Sequence, residues 1–147
     1  METKKKHQVF VEGPITSGFI AESIEKHSNK LNIGAHSIFL GQVRNDRHDN
    51  GEVSAIEYTT YHAMAEEVFH HIREETFAKY ALTCTHIYHS LGTVQAGEIS
   101  LFVFTSSAHR ADAISACEEI VERIKKEAPV WGKEILTDQK TKWKQNT

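Results

Sequence analysis

Three short segments combine residue types that handle anions or move protons. They are Phe39-Leu40-Gly41-Gln42-Val43-Arg44, then Ser106-Ser107-Ala108-His109-Arg110, then Lys125 to Glu134, which reads KKEAPVWGKE. His109 and Arg110 stand where a strand gives way to a helix, and the free N–H groups of a helix start favour an anion. An arginine there adds a planar fork of donors suited to phosphate or carboxylate. The helix dipole opposes two cations at that end, so a bound anion explains them. The other reading pairs Arg110 with Asp112 and leaves His109 on the surface. Lys125 and Lys126 fall in the last turn of the same helix, where cations suit the dipole. If one of them turns into a cleft, desolvation beside other cations lowers its pKa and frees the amine as nucleophile or proton carrier. Lys133 could approach the same cleft with Glu134 orienting it, and Arg44 would add another positive group.

Other chemistries find less support. Ten histidines raise the question of a metal. His62, Glu66 and His70 have helical i,i+4 spacing, but there is no HExxH. His86 and His89 differ by three in an extended segment and so face opposite sides. No metal site is expected. Cys84 and Cys117 have no CxxC spacing and read as small buried hydrophobes in a reducing compartment. A persulfide-carrying thiol is the alternative, with little basic context in the sequence around either. The acidic residues decorate helix faces, with partners such as Glu122 to Lys126. Neither a nucleophile elbow nor a P-loop occurs.

The elements that must position these segments follow from periodicity and breakers. Residues 7–12 read as a strand ended by Gly13-Pro14. Ser17 can cap a helix over 18–27, with Phe19, Ile20 and Ile24 on its apolar side. Residues 34–44 and 53–61 read as strands. The polar stretch NDRHDNGE between them carries an Asn50-Gly51 turn signal that would make them antiparallel partners. Met64, Val68 and Ile72, with Ala65 and Phe69 beside them, define a helix over 63–80. Strands over 82–90 and 98–106 follow. Ile114, Cys117, Val121, Ile124 and Ala128 then mark a helix over 110–127, which Pro129 ends. Residues 130–136 read as a strand, and a basic tail holds Trp143. Hairpins between most strands predict an α+β fold with a mostly antiparallel sheet.

At 147 residues the chain fits one domain, residues 1–147, with an ordinary core. Apolar residues make up 39% and charged residues 25%, and 17 basic against 20 acidic side chains give a net charge of −3. That excludes a basic nucleic-acid binder but not a local anion site. No apolar run reaches the roughly 20 residues of a membrane span. The basic N-terminus lacks the apolar stretch of a signal peptide, so a cytoplasmic location is expected.

Taken together, the segments resemble the large, catalytic subunit of molybdopterin synthase. Phe39, Gly41, Val43 and Arg44 match that family's Phe-x-Gly-x-Val-Arg segment. Tyr61, Met64 and Ala65 match Tyr-x-x-Met-Ala. His89 and Gly92, followed by Gly97-Glu98, match a His-x-x-Gly segment. Ser107-Ala108-His109-Arg110 matches Ser-x-His-Arg. Lys125, Pro129, Trp131, Lys133 and Glu134 close the pattern, which runs from about Phe10 to Trp143.

The resemblance implies an α/β-hammerhead fold and a homodimer within a heterotetramer. The partner is a small ubiquitin-like sulfur-carrier subunit, whose C-terminal Gly-Gly enters the cleft as a thiocarboxylate. The substrate implied is cyclic pyranopterin monophosphate, which gains two sulfurs to form the molybdopterin dithiolene, with no cofactor and no metal. Lys125 matches the family's lysine closest to the chemistry, and Lys133 is the second catalytic candidate. Gln42, Val43, Arg44, His109, Arg110 and Glu134 are the expected substrate-binding residues, with Phe39 and Gly132 as pocket wall. One departure stands out. The family has a lysine after the tryptophan, and this chain has Gly132. Either Lys133 reaches the site through the freedom of that glycine, or the role is filled elsewhere.

Overall fold

The computed structural model describes residues 8–49, 51–138 and 141–144. His7 of the expected first strand and Asn50 of the expected turn lie outside the described residues. The elements run β1 (Phe10–Glu12), α1 (Ser17–Glu25), β2 (Ala35–Gln42), β3 (Arg47–His48), β4 (Gly51–Thr60), α2 (His62–Lys79), β5 (Cys84–Gln95), β6 (Ile99–Ser107), α3 (Arg110–Glu127), β7 (Val130–Leu136) and β8 (Thr141–Trp143). Strand order is β2-β6-β5-β4-β7-β8, with β1 added to β5 and β3 to β4. Among the described residues, every strand pairing is antiparallel except β1 with β5. The molecule is therefore α+β with a mostly antiparallel sheet.

Two pairings differ from the sequence expectation. The strands over 34–44 and 53–61 are not neighbours: β2 pairs β6, while β4 lies between β5 and β7. The polar loop between them makes its own small hairpin, in which Arg47 faces Glu52 and Gly51 adopts φ +121°. That hairpin takes only the two residues of β3 and not the whole preceding strand. The basic C-terminal tail, for which no strand was expected, forms β8 on β7, with Lys133 opposite Trp143.

Helix α1 is capped by Thr16, not Ser17. Thr16 has extended backbone, and its hydroxyl accepts from the Phe19 N–H at 3.2 Å. The helix α2 buries Ala65, Phe69, Ile72 and Thr76, while Met64 turns outward. The helix α3 keeps its predicted ends but buries Ala113, Ala116, Cys117, Ile120 and Ile124, leaving Ile114 exposed. Both stripes are rotated slightly from the sequence reading. In α3 the small residues set the rotation, because Ala113 and Ala116 let the helix approach β6 until Thr105 Oγ1 donates to the Ala113 carbonyl at 2.7 Å.

The main core joins α2 and α3 to one face of the sheet through Phe69, Ile72, Ile87, Val103 and Ile120. Each such fully buried side chain contributes about 1.5–3 kcal/mol. Phe102 and Phe104 form a second cluster with Ile15 and the partly buried Phe19 and Ile20 of α1. A third, of Val43, Val53, Ile56, Val94 and Leu136, holds the end of β2 against β4 and β7. That third cluster is the floor beneath the cationic residues.

Candidate functional site

The site starts where β2 ends. A register shift between Gly41 and Gln42 displaces the last pair with β6, where Gln42 meets Ile99. Val43 is then pinned by two backbone bonds, donating to the Glu98 carbonyl at 3.0 Å and accepting from the Gly97 N–H at 2.8 Å. Its side chain is buried, while Gln42 and Arg44 on either side stay exposed. Arg44 holds an exposed ion pair with Asp46 at 3.1 Å, which contributes little to stability.

Arg44, Gln42, Val43 and Phe39 line a cavity of about 220 Å3 together with Ile56, Tyr58, Ser100, Lys125 and Lys144. Lys125 comes from the last turn of α3. It is solvent-accessible, yet protein surrounds its amine on several sides. That desolvation, and then the charges of Lys144 and Arg44, hold its pKa below the ordinary lysine range. Opposite it, Tyr58 donates to Ser100 Oγ at 3.1 Å, and burial pushes the phenol pKa up.

Lys125 and Lys144 also line a smaller cavity of about 30 Å3 with Tyr58, His89 and Gly132. His89 is buried and donates from Nδ1 to the Ser90 carbonyl at 2.7 Å, taken as Nδ1–H because a carbonyl can only accept. Nε2 is then the unprotonated nitrogen. Burial, and secondarily the charge of Lys125, push its pKa down to about 4.

Strand β7 settles the fate of the last segment. Side chains alternate, so Gly132 and Glu134 share one face and Lys133 takes the other. The Lys133 ammonium lies 5.3 Å from the centre of the Trp143 ring, and Lys133 is absent from the lining of the Lys125 cavity. The expected approach of Lys133 to Lys125 is therefore not seen in this chain. No side chain replaces it from position 132. A Cβ there would sit 2.9 Å from Ile56 Cγ2 and 3.3 Å from Tyr58 Cε1.

Beside this position lies Lys144, which sequence reasoning missed. Its N–H donates to the Gly132 carbonyl at 2.8 Å, and its side chain reaches both cavities. Nothing in the tail's sequence announced this, because it depends on β8 folding back onto β7. Glu134 is buried, accepts from His48 Nε2 at 3.1 Å, and lines a third cavity of about 210 Å3 with Arg44 and Lys144.

His109 and Arg110 lie elsewhere. They are exposed at the start of α3. Ser107 Oγ donates to the His109 carbonyl and accepts from the Ala113 N–H at 3.1 Å, fixing the entry to the helix. Fifteen residues separate Arg110 from Lys125, about 22 Å along a helix at 1.5 Å per residue. The five cations expected in one pocket are thus divided in this chain. Arg44 and Lys125 meet, and Lys133, His109 and Arg110 do not join them.

The family model described as MoaE protein matches residues 15–127. The chain belongs to the MoaE protein family. The molybdopterin synthase catalytic subunit of Oryza sativa subsp. indica is 38% identical to this MoaE-family chain over 120 residues, covering 82% of this chain and 61% of that relative. The chain thus spans about three fifths of that relative's length. The crystal structure of molybdopterin synthase from Staphylococcus aureus superposes with a TM-score of 0.82 at 33% identity, covering 97% of this chain and 98% of that one. The complex of subunits 1 and 2 of molybdopterin-converting factor from Helicobacter pylori 26695 shares the fold, with a TM-score of 0.77 at 21% identity over 92% of this chain and 88% of that one. The matched MoaE region includes Arg44, His89, His109, Arg110 and Lys125, and Lys144 lies beyond it.

Proposed function

We propose that this chain is the catalytic subunit of a molybdopterin synthase. It would take sulfur from the thiocarboxylated C-terminus of a small ubiquitin-like carrier and place it on cyclic pyranopterin monophosphate. The observation that carries the reading is the cavity where Arg44, Lys125 and Lys144 converge at the end of β2. Both reactants are anionic at the reacting end, one by thiocarboxylate and one by phosphate. Fixed cations in a partly dry cleft neutralise them and stabilise developing negative charge. Lys125, with its lowered pKa, is the proton carrier best placed in that cleft.

In each transfer the thiocarboxylate sulfur forms a bond to a carbon of the pterin side chain. A carbon–oxygen bond breaks, with a proton supplied to the departing oxygen. Water then cleaves the acyl–sulfur bond, returning the carrier as a carboxylate and leaving sulfur on the pterin. No electron transfer is needed.

The homodimer within a heterotetramer is part of the same proposal. Edge strand β2 exposes Ile38, Phe39 and Leu40, and Ile114 is exposed on α3. An edge of this kind invites a covering partner. A second copy would also give His109 and Arg110 a route to a cavity they cannot reach within their own chain. The chain acts as one domain in this reading. The free thiols of Cys84 and Cys117 suit the reducing cytoplasm, where we place the reaction. Among the described residues, no helix is long and apolar enough to cross a membrane.

The test is reconstitution with thiocarboxylated carrier and the cyclic precursor, read out as molybdopterin. Dithiolene formation is expected. Carrier binding without any turnover would refute catalysis and leave a non-enzymatic binding module.

A further inference from the structure

A second cluster of reactive side chains lies away from the Lys125 cavity. Cys84 and His86 are two residues apart on β5, so their side chains share one face of the sheet. His89, three residues further on, points to the other face and lines the Lys125 cavity. Against Cys84 and His86 the chain leaving α1 lays His27, which is buried. The donor atoms of His27, Cys84 and His86 all lie within 4.8 Å of one another.

The orientation of these groups is specific. His27 Nδ1 lies 2.7 Å from the Ser23 carbonyl and must donate to it, so Nε2 carries the lone pair. That nitrogen faces His86 Nε2 at 3.1 Å. A tetrahedral zinc ion, with Zn–N near 2.0–2.1 Å and Zn–S near 2.3 Å, sets its nitrogens roughly 3.3 Å apart and nitrogen and sulfur roughly 3.6 Å apart. The present spacing needs only small side-chain movements to match. Locking one ring nitrogen of a histidine on a carbonyl is the usual way its other nitrogen is aimed at a metal. Lys30 Nζ donates to Cys84 Sγ at 2.9 Å. Phe104 lies against His27 with ring centres 4.9 Å apart, and Tyr88 stacks on His86 at 6.4 Å, so the cluster has apolar walls.

We propose that His27, Cys84 and His86 form a binding site for a zinc-class divalent transition metal. They supply three protein ligands and leave a fourth position for water or another donor. In the metal-free protein, His86 Nε2–H donates to His27 Nε2. Metal binding moves the His86 proton from Nε2 to Nδ1, keeping the imidazole neutral, and releases the thiol proton. The donor set of one thiolate and two imidazoles selects zinc or cobalt over magnesium or calcium. The sequence holds no hint of this site, because 57 positions separate His27 from Cys84 and only the packing of the chain around α1 on β5 unites them.

The experiment is titration of the purified full chain with Co2+, followed by displacement with Zn2+. One equivalent of Co2+ is expected to produce visible d–d bands of tetrahedral intensity and a thiolate-to-cobalt charge-transfer band. Zn2+ is expected to abolish both. Cys84→Ser should lose the charge-transfer band, and His27→Gln should weaken Co2+ binding at least tenfold, while Cys117→Ser keeps the full spectrum. A wild-type protein with no charge-transfer band, or a band that survives in Cys84→Ser, overturns the proposal. Neither result bears on sulfur transfer, which is measured separately.

Discussion

His89 offers a quantitative test of how the site is built. Its imidazole is buried and its pKa is pushed from the ordinary 6.5 down to about 4. The unfolded chain therefore binds a proton on His89 between those two pH values while the folded chain does not. Stability from this group is fully present above about pH 6.5 and is lost as pH falls toward 4. The full difference is about 3 kcal/mol, at about 1.4 kcal/mol per pH unit within the window. The perturbation is His89→Asn, whose amide can still donate to the Ser90 carbonyl but does not titrate. Unfolding free energies from urea titrations would be measured for both proteins from pH 4.5 to 8. The slope with pH is the quantity of interest, because the substitution also changes packing. His36, whose pKa is lowered by burial and by His27, contributes equally to both proteins. The wild type should lose about 2–3 kcal/mol more than the variant on going from pH 7 to 4.5. Equal pH dependence in the two proteins would refute a neutral, buried His89 beside Lys125.

Further outcomes follow from the same geometry. Lys144→Ala removes a positive neighbour, so the pKa of Lys125 should rise and the descending limb of the pH–rate profile should move to higher pH; an unmoved limb would exclude electrostatic contact between the two lysines. Gly132→Ala should destabilise the fold by about 1–3 kcal/mol, seen in urea titration, because its Cβ would crowd Ile56 and Tyr58. Lys133→Ala should leave turnover near wild type, since its amine rests on Trp143; a large loss in kcat would return Lys133 to the site. Phe69→Ala, in the main core, should cost about 3–5 kcal/mol.

The sequence made some of this legible and hid the rest for physical reasons. The ends of α3 were readable because Pro129 stops the helix and the apolar period is strong. The stripe itself was read slightly rotated, since Ala113 and Ala116 carry little hydrophobic signal yet set the close approach to β6. Gly51 of the Asn-Gly signal begins β4 and pairs with His48 of the two-residue β3, and a turn signal carries no information on how long its strands are. Arg44 and Lys125 were found from residue type and family pattern, and the fold brings them together. Lys133 was misplaced because a lysine one residue along a strand points to the opposite face. His109 and Arg110 stand at the helix start as expected, but fifteen residues of α3 separate Arg110 from Lys125 within the chain. Lys144 and the His27–Cys84–His86 cluster were invisible, because both depend on strand and helix packing between distant segments.

The central claim is that the cationic cavity of Arg44, Lys125 and Lys144 carries out sulfur transfer. Its most direct test is a single-turnover assay with thiocarboxylated carrier and cyclic pyranopterin monophosphate, comparing wild type with Lys125→Ala and reading molybdopterin against time. The wild type should form the dithiolene. The variant should fold and bind the carrier, yet fall in rate by at least about a hundredfold, the lower range for loss of a proton-transfer group. Molybdopterin formation by Lys125→Ala at the wild-type rate would contradict the account.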